Sequence, residues 1–395
     1  MLRLAPELRE LLLVVGGTVL VLAVTLLLQT PCSPKGFLWD GAAYHHLARQ
    51  FADGSVLFTA KPDEQLRGSA PFAYRVGQPW LAAQLAPESL RNASLAIGLA
   101  SAMAQVIFFW LCLRETLNQR WVRLLCVLCF VMAFHSLVRF LPYRPYMVDD
   151  PAGLLLFLGF WCVLRFQATE RVGFLIAAAG CCTVGAAFRE SVLVAGVAAL
   201  FAGNPLRFER QGWLRWLPRL QRGDPKRLWP RLIPIIGGIV VTCLVHEGVA
   251  ISNKSEALAN LARNFVAKKP HTYVLAWFIA YGPFLLVALA GWRRQTTFLL
   301  ERQPLLAALA AVSLLSWIGG SDTERLLFWA APIVFVMIGR ELERNPPRRW
   351  LGSLLPLLAA QALAHRWPLL LPPPGEASDG LLVPDQAHFS SFCRD

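Results

Sequence analysis

Residues 11–29 read LLLVVGGTVLVLAVTLLLQ, a run without a single charge. A bilayer-spanning helix needs about 20 apolar residues, and a run of this length exceeds what a helix in a soluble core has to hide. Working outward, the pattern recurs: apolar runs bounded by charge occupy 11–29, 92–113, 124–141, 147–164, 172–187, 191–203, 232–250, 272–292, 304–318, 326–339 and 350–371. The composition agrees, with 56% hydrophobic and only 16% charged residues, against about 45–50% apolar in soluble domains. The expected fold class is therefore all-α, a polytopic transmembrane helix bundle of about 11 spans. Disordered, collagenous and disulfide-scaffold classes are excluded, since seven of the nine cysteines (Cys112, Cys126, Cys129, Cys162, Cys181, Cys182 and Cys243) lie inside apolar segments.

The net charge of +13 would suggest nucleic acid in a soluble chain. In a membrane chain it reports orientation instead. With residue 1 cytoplasmic, the cytoplasmic segments carry 22 Lys/Arg and 9 Asp/Glu, and the longer outer segments, with the span charges counted among them, carry 16 of each. The whole excess falls inside, and no nucleic-acid partner is expected. The richest segment, the basic loop 204–231, reads as a cytoplasmic loop beside anionic membrane lipid, or simply as the topology signal. The stretch 172–203 reads as two short spans flanking Phe188-Arg189-Glu190-Ser191; a single helix there would reverse every later loop and put the basic cluster outside. The first span, with no small-residue cleavage site, reads as an uncleaved anchor. The organisation is thus a transmembrane catalytic unit over 1–372, with a long outer loop at 30–91, and an outer-side tail over 373–395.

The outer loop 30–91 is rich in aromatic residues, so short interfacial helices are expected within it. Trp39-Asp40-Gly41-Ala42-Ala43-Tyr44-His45-His46-Leu47-Ala48 reads as a helix start, with Asp40 as N-cap and Tyr44, Leu47 and Ala48 on one face. Asp40 is then either a cap or a chemical group. His45 is a candidate phosphate contact; its neighbour His46 points to a different face, which disfavours a metal pair. In the second outer turn, Arg139 to Pro151, Asp149 and Asp150 are adjacent carboxylates at the bilayer edge, costly unless paired or wet, with Arg139 and Arg144 nearby to pair them. Asp150-Pro151 reads as an N-cap and first-turn proline. Charged pairs recur at other outer junctions, Arg189-Glu190 and Asp322-Thr323-Glu324-Arg325. Their repetition at one face points to a polar cavity roofed by the first loop, although helix-pinning ion pairs look the same in sequence. Cys126 and Cys129 have CxxC spacing without a second pair, which packing explains better than metal. Cys32 and Cys393 could meet as an outer disulfide.

These segments resemble the GT-C superfamily of polytopic membrane glycosyltransferases. The likeness lies in a cytoplasmic start, a long outer loop opening on Asp40, the stretch Tyr74-Arg75-Val76-Gly77-Gln78-Pro79-Trp80-Leu81-Ala82, and acidic residues in the second outer loop. The resemblance implies a polyprenyl-phosphate-linked sugar donor, a glycan, lipid or protein acceptor, a site at the outer membrane face and an Asp near the first helix acting as base. The catalytic candidates are Asp40, Asp149 and Asp150. The candidates for substrate and phosphate binding are Tyr44, His45, Arg75, Arg144, Arg189, Glu190, Asp322 and Arg325. No cofactor is expected, no residue cluster demands a metal, and a divalent cation stays compatible.

The chemistry supports the same expectation. A lipid-linked donor enters sideways from the bilayer. Displacement at its anomeric carbon needs a base for the acceptor proton. The departing phosphate needs cationic stabilisation, for which Arg is suited. One base without a covalent nucleophile implies inversion. Two rival readings are a polysaccharide polymerase or ligase, which typically places its large loop late in the chain, and a transporter or flippase, which would hold polar residues near the midplane in mirrored halves.

Overall fold

The first apolar run forms helix α1 (Pro6–Leu28). Its two threonines return their hydroxyl protons to carbonyls one turn back, Thr18 to Val14 at 2.7 Å and Thr25 to Val21 at 2.8 Å, so an apolar surrounding leaves neither donor stranded. The computed structural model describes residues 5–28, 40–59, 61, 63–133, 136, 141, 145–203, 206–210, 218–222, 225–251, 259, 262–263, 265–266, 269–319, 323–344 and 347–365. The long first loop holds helix α2 (Gly41–Ala52), strand β1 (Arg67–Gly68), a 3₁₀ turn at Phe72–Tyr74 and helix α3 (Gly77–Leu85), which meets the expectation of short helices there. Then follow α4 (Leu90–Arg114), α5 (Arg120–Met132), α6 (Asp149–Thr169), α7 (Val172–Ala186) and α8 (Leu193–Leu200).

The basic segment 204–231 departs from the expected loop. Strands β2 (Leu206–Arg210) and β3 (Pro218–Arg222) pair antiparallel with Leu206 opposite Arg222 and Arg210 opposite Pro218, and helix α9 (Pro225–Gly248) already begins inside the segment. After strand β4 (Ala250–Ile251) come α10 (Pro270–Tyr281), α11 (Phe284–Ala290), α12 (Trp292–Glu301), α13 (Gln303–Ile318), α14 (Thr323–Leu327), α15 (Ala331–Arg344) and α16 (Pro347–Ala364). The run 272–292, expected as one span, is bent by 113° between α10 and α11. Gly282 sits at that break with φ +63°, a left-handed conformation that glycine adopts without steric cost.

Among the described residues four helices are long and apolar enough to cross a bilayer, α1, α4, α6 and α9; the pairs α10 with α11 and α12 with α13 raise the number to six if each bent pair is one span. These helices place the chain in a membrane. The stretch 172–203 is two helices, α7 and α8, broken at Ala187 to Arg189. Both pack against α9: α8 runs antiparallel to it, with Leu193 beside Gly238, Gly196 against Ile235 and the Ala202 carbonyl accepting from Arg231 Nε, while α7 places Cys182 against Gly238 and Thr183 against Gly237.

The bundle has two differently built ends. At the N-terminal end Glu10 accepts bonds from Trp110 Nε1 at 2.7 Å and from Arg123 Nε and Nη2 at 2.7 and 2.6 Å, and Glu341 takes Arg294 Nη2 at 2.6 Å. Between the ends lies an aromatic core in which Phe130 stacks on Phe109 at 4.2 Å and on Phe328 at 5.4 Å. At the opposite end β1 and β4 pair in parallel, Arg67 with Ala250 and Gly68 with Ile251, which ties the first loop to the end of α9. There, too, the Gly77 N–H donates to the Ala187 carbonyl at 2.8 Å, and a methyl added at Gly77 would meet the Phe188 ring at 2.8 Å. Gly77→Ala is therefore expected to lower unfolding stability in detergent by about 1–3 kcal/mol, the usual cost of overpacking.

Candidate functional site

The charged cluster at the loop-bearing end is built from four separate segments. Helix α6 opens on Asp149 and Asp150, each 1% exposed, and its N-terminus favours negative charge. The start of the helix differs from the sequence expectation by two residues: Val148, not Asp150, occupies the N-cap, and both carboxylates lie in the first turn ahead of Pro151. The turn after α7 supplies Arg189, 4% exposed, whose guanidinium forms an ion pair with Asp149. Arg325, on α14, brings Nη1 to 3.7 Å from the other carboxylate oxygen of Asp149. The guanidinium of Arg189 also lies 5.3 Å from the ring centroid of Trp329, a cation–π contact. Among the described residues, Asp149 is thus paired by Arg189 and Arg325, residues distant in sequence. Arg139 and Arg144, the partners expected from proximity along the chain, lie outside the described residues, as does Asp322. Asp150 faces α4: a Cβ at Gly98 would lie 3.4 Å from its Oδ2.

Arg189 and Glu190 are adjacent and serve two different sides. Arg189 is extended, with φ −166° and ψ 138°, which turns successive side chains apart. Glu190 accordingly faces the first loop, with Oε2 at 3.7 Å from Arg75 Nε. Arg75 donates from Nη1 to Tyr44 Oη at 3.0 Å, and Tyr44 is fully buried on the inner face of α2 beside Leu47 and Ala48, as the sequence spacing requires. Burial works against the charged form of Arg75, yet the neighbouring Tyr44, Glu190 and Asp40 outweigh it and hold its pKa above the ordinary arginine value.

Asp40 is the N-cap residue of α2, and its backbone carbonyl accepts from Ala43 and Tyr44. The expected capping bond is absent: the half-buried carboxylate of Asp40 makes no side-chain cap hydrogen bond. Capping therefore does not occupy its oxygens.

His45 packs edge-on against Tyr146 with ring centroids 5.0 Å apart. Burial first, then the charges of Arg49 and His46, lower its pKa below the ordinary histidine value. A neutral imidazole favoured by the fold contributes stability that is complete above about pH 6.5, the unfolded value, and is lost as the pH falls through the folded one. Limited proteolysis of the loop between pH 7.5 and 5 is expected to accelerate toward acid, and His45→Phe should flatten that profile.

Two residues at this end, His246 and Trp329, carried no signal in the sequence. Tyr74 stacks on His246, from the end of α9, at 3.4 Å and 13°, and burial together with the charge of Glu190 raises the Tyr74 pKa. Trp329 and the buried Glu324 flank Arg189 and Arg325. His246 and Trp329 each lie inside an apolar run and look like lipid-facing or packing material until α9, α14 and α15 are placed.

Among the described residues no group of three His, Cys, Asp or Glu side chains could hold a metal ion, and the carboxylate of Asp149 is committed to two guanidinium groups. The described residues do not compose a cation site by themselves.

No protein-family model matches the chain, and no curated protein does. Solved structures do. An oligosaccharyltransferase from Archaeoglobus fulgidus, in complex with Zn and sulfate, superposes with a TM-score of 0.52 at 13% identity, over 89% of this chain and 53% of that one. The same organism's archaeal oligosaccharyltransferase AglB, in complex with an inhibitory peptide and a dolichol-phosphate, gives 0.53 at 12% identity, over 96% and 59%. The chain shares the fold of these archaeal oligosaccharyltransferases. The chain spans a little over half the length of these oligosaccharyltransferase chains. At this identity the likeness concerns the fold alone, and the chemistry has to be argued from the residues.

Proposed function

We propose that the chain is an integral membrane glycosyltransferase that moves a sugar from a polyprenyl-phosphate-linked donor to a hydroxyl of a glycan, lipid or protein acceptor. The observation that carries this reading is the convergence of Arg75, Arg189 and Arg325, from three segments, on one end of a GT-C fold that also bears Asp40. In the reaction, the acceptor oxygen forms a bond to the anomeric carbon while the carbon–oxygen bond to phosphate breaks. The bonding pair leaves with the polyprenyl phosphate, and Asp40 takes the acceptor proton. A single displacement inverts the anomeric centre. Guanidinium groups stabilise the charge that develops on the phosphate, within a site walled by buried aromatic residues where such interactions are stronger than in water.

The chain is taken to lie in the cell (inner) membrane with about eleven spans, the N-terminal end cytoplasmic and the arginine cluster outside. The 22 basic residues assigned to the cytoplasmic segments support that orientation. A reporter fused after Arg215 is expected in the cytoplasm and one at the C-terminus outside; finding both on one side would remove this arrangement.

The reading is tested with purified protein in lipid nanodiscs and a polyprenyl monophosphate as ligand. Saturable binding that weakens in Arg325→Ala is the expected result. A protein that binds neither polyprenyl monophosphate nor diphosphate is not a transferase of this class.

A further inference from the structure

Asp149 takes no proton in the reaction above, yet it is among the most enclosed carboxylates at that end, at 1% exposure. Its two oxygens face different partners: Oδ1 the guanidinium of Arg189, Oδ2 that of Arg325 at 3.7 Å. The three residues belong to the start of α6, the turn after α7 and α14, so this one carboxylate is where those segments meet. Two guanidinium groups brought this close repel each other unless an anion lies between them, and the repulsion grows as water is excluded. Arg189 is held from a second side by the face of Trp329 and through its own backbone, whose N–H donates to the Gly185 carbonyl at 2.8 Å. Its side chain is 5% exposed, that of Arg325 17%. The pair therefore has a fixed arm and a more open one. A carboxylate engaged by two guanidinium groups is poorly placed to receive a proton from an acceptor hydroxyl.

We propose that Asp149 is a positioning residue that holds Arg189 and Arg325 as one two-guanidinium fork, shaped to receive a phosphate group. The identity of that phosphate as part of the lipid-linked donor rests on the glycosyltransferase reading; the fork itself does not. A planar guanidinium offers paired donors to phosphate oxygens, and two of them preset in one orientation lose little freedom on binding.

Asp149→Asn keeps the volume and removes the charge. The full-length variant in nanodiscs is expected to bind a polyprenyl monophosphate about tenfold more weakly or worse, as the loss of ordered charge-assisted contacts implies. In turnover the loss should appear in KM, with kcat at saturating donor falling far less. A second readout needs no ligand: the emission of Trp329, isolated by difference from Trp329→Phe, should shift when Arg189 leaves its ring. If kcat collapses at unchanged KM, Asp149 is a proton acceptor and the proposal is overturned. Wild-type affinity in Asp149→Asn overturns it as well. Should the Asn variant not fold, Asp149→Glu decides, because it keeps the charge but displaces it by one methylene; weaker phosphate binding supports the fork and unchanged binding removes it. Should the wild type bind no polyprenyl phosphate, the glycosyltransferase reading fails separately, and the Trp329 difference then decides alone: an unshifted emission in the Asp149 variant overturns the fork.

Discussion

Asp40→Asn is expected to lower turnover by about two to four orders of magnitude, the usual contribution of a positioned general base, while fold and donor binding persist. Asparagine is nearly isosteric with aspartate and is about as good an N-cap, so α2 should start where it does in the parent chain. Since the Asp40 carboxylate makes no capping bond, the substitution leaves the helix start without a lost partner and removes only the charge beside Arg75. Circular dichroism and polyprenyl-phosphate binding should therefore match the parent protein while sugar transfer collapses. A stable variant that retains activity within a few-fold would take the base role away from Asp40. Asp150, on α6, would be the next residue to test.

The second large effect separates two arginines that the sequence alone presents as equivalent. Arg189→Ala removes a buried cation from an ion pair with a buried carboxylate, and breaking such a pair costs about 3 to 5 kcal/mol because the remaining charge is left poorly compensated. Its main signature should be a large fall in unfolding stability in detergent. Arg325 is more exposed and stands 3.7 Å from the same carboxylate. Arg325→Ala should leave stability within about 1 kcal/mol, as weakly held pairs do, and weaken polyprenyl-phosphate binding about tenfold or more through lost charge-assisted contacts. Equal destabilisation by both substitutions, with normal phosphate binding in both lysine variants, would make the two arginines structural pins and nothing more.

The helical membrane class was readable from apolar runs because the bilayer sets a length that few soluble segments reach. The two-helix reading of 172–203 was also available, since Arg189-Glu190 interrupts the apolar pattern and burying both inside one continuous span is costly. The start of α2 and its buried face of Tyr44, Leu47 and Ala48 follow from the helical period alone. By contrast, the hairpin β2–β3 within the basic loop carried no period-2 signal strong enough to read, and the bend at Gly282, although marked by the turn dipeptide Gly282-Pro283, was absorbed into one long apolar run.

The sequence by itself determined that charge would gather at helix ends, because ionisable groups are expelled from the hydrocarbon interior wherever they are not paired. Which charges meet was decided only by the tertiary structure. Asp149 has nearby basic residues along the chain, yet its partners are Arg189 and Arg325, delivered by α7 and α14; Arg75 finds Tyr44 on α2 and Glu190 beyond α7; and Tyr74 finds His246 at the end of α9. Ion pairing depends on distance in space, and that distance is set by how apolar helix faces pack against one another, a long-range result that no local window of sequence contains.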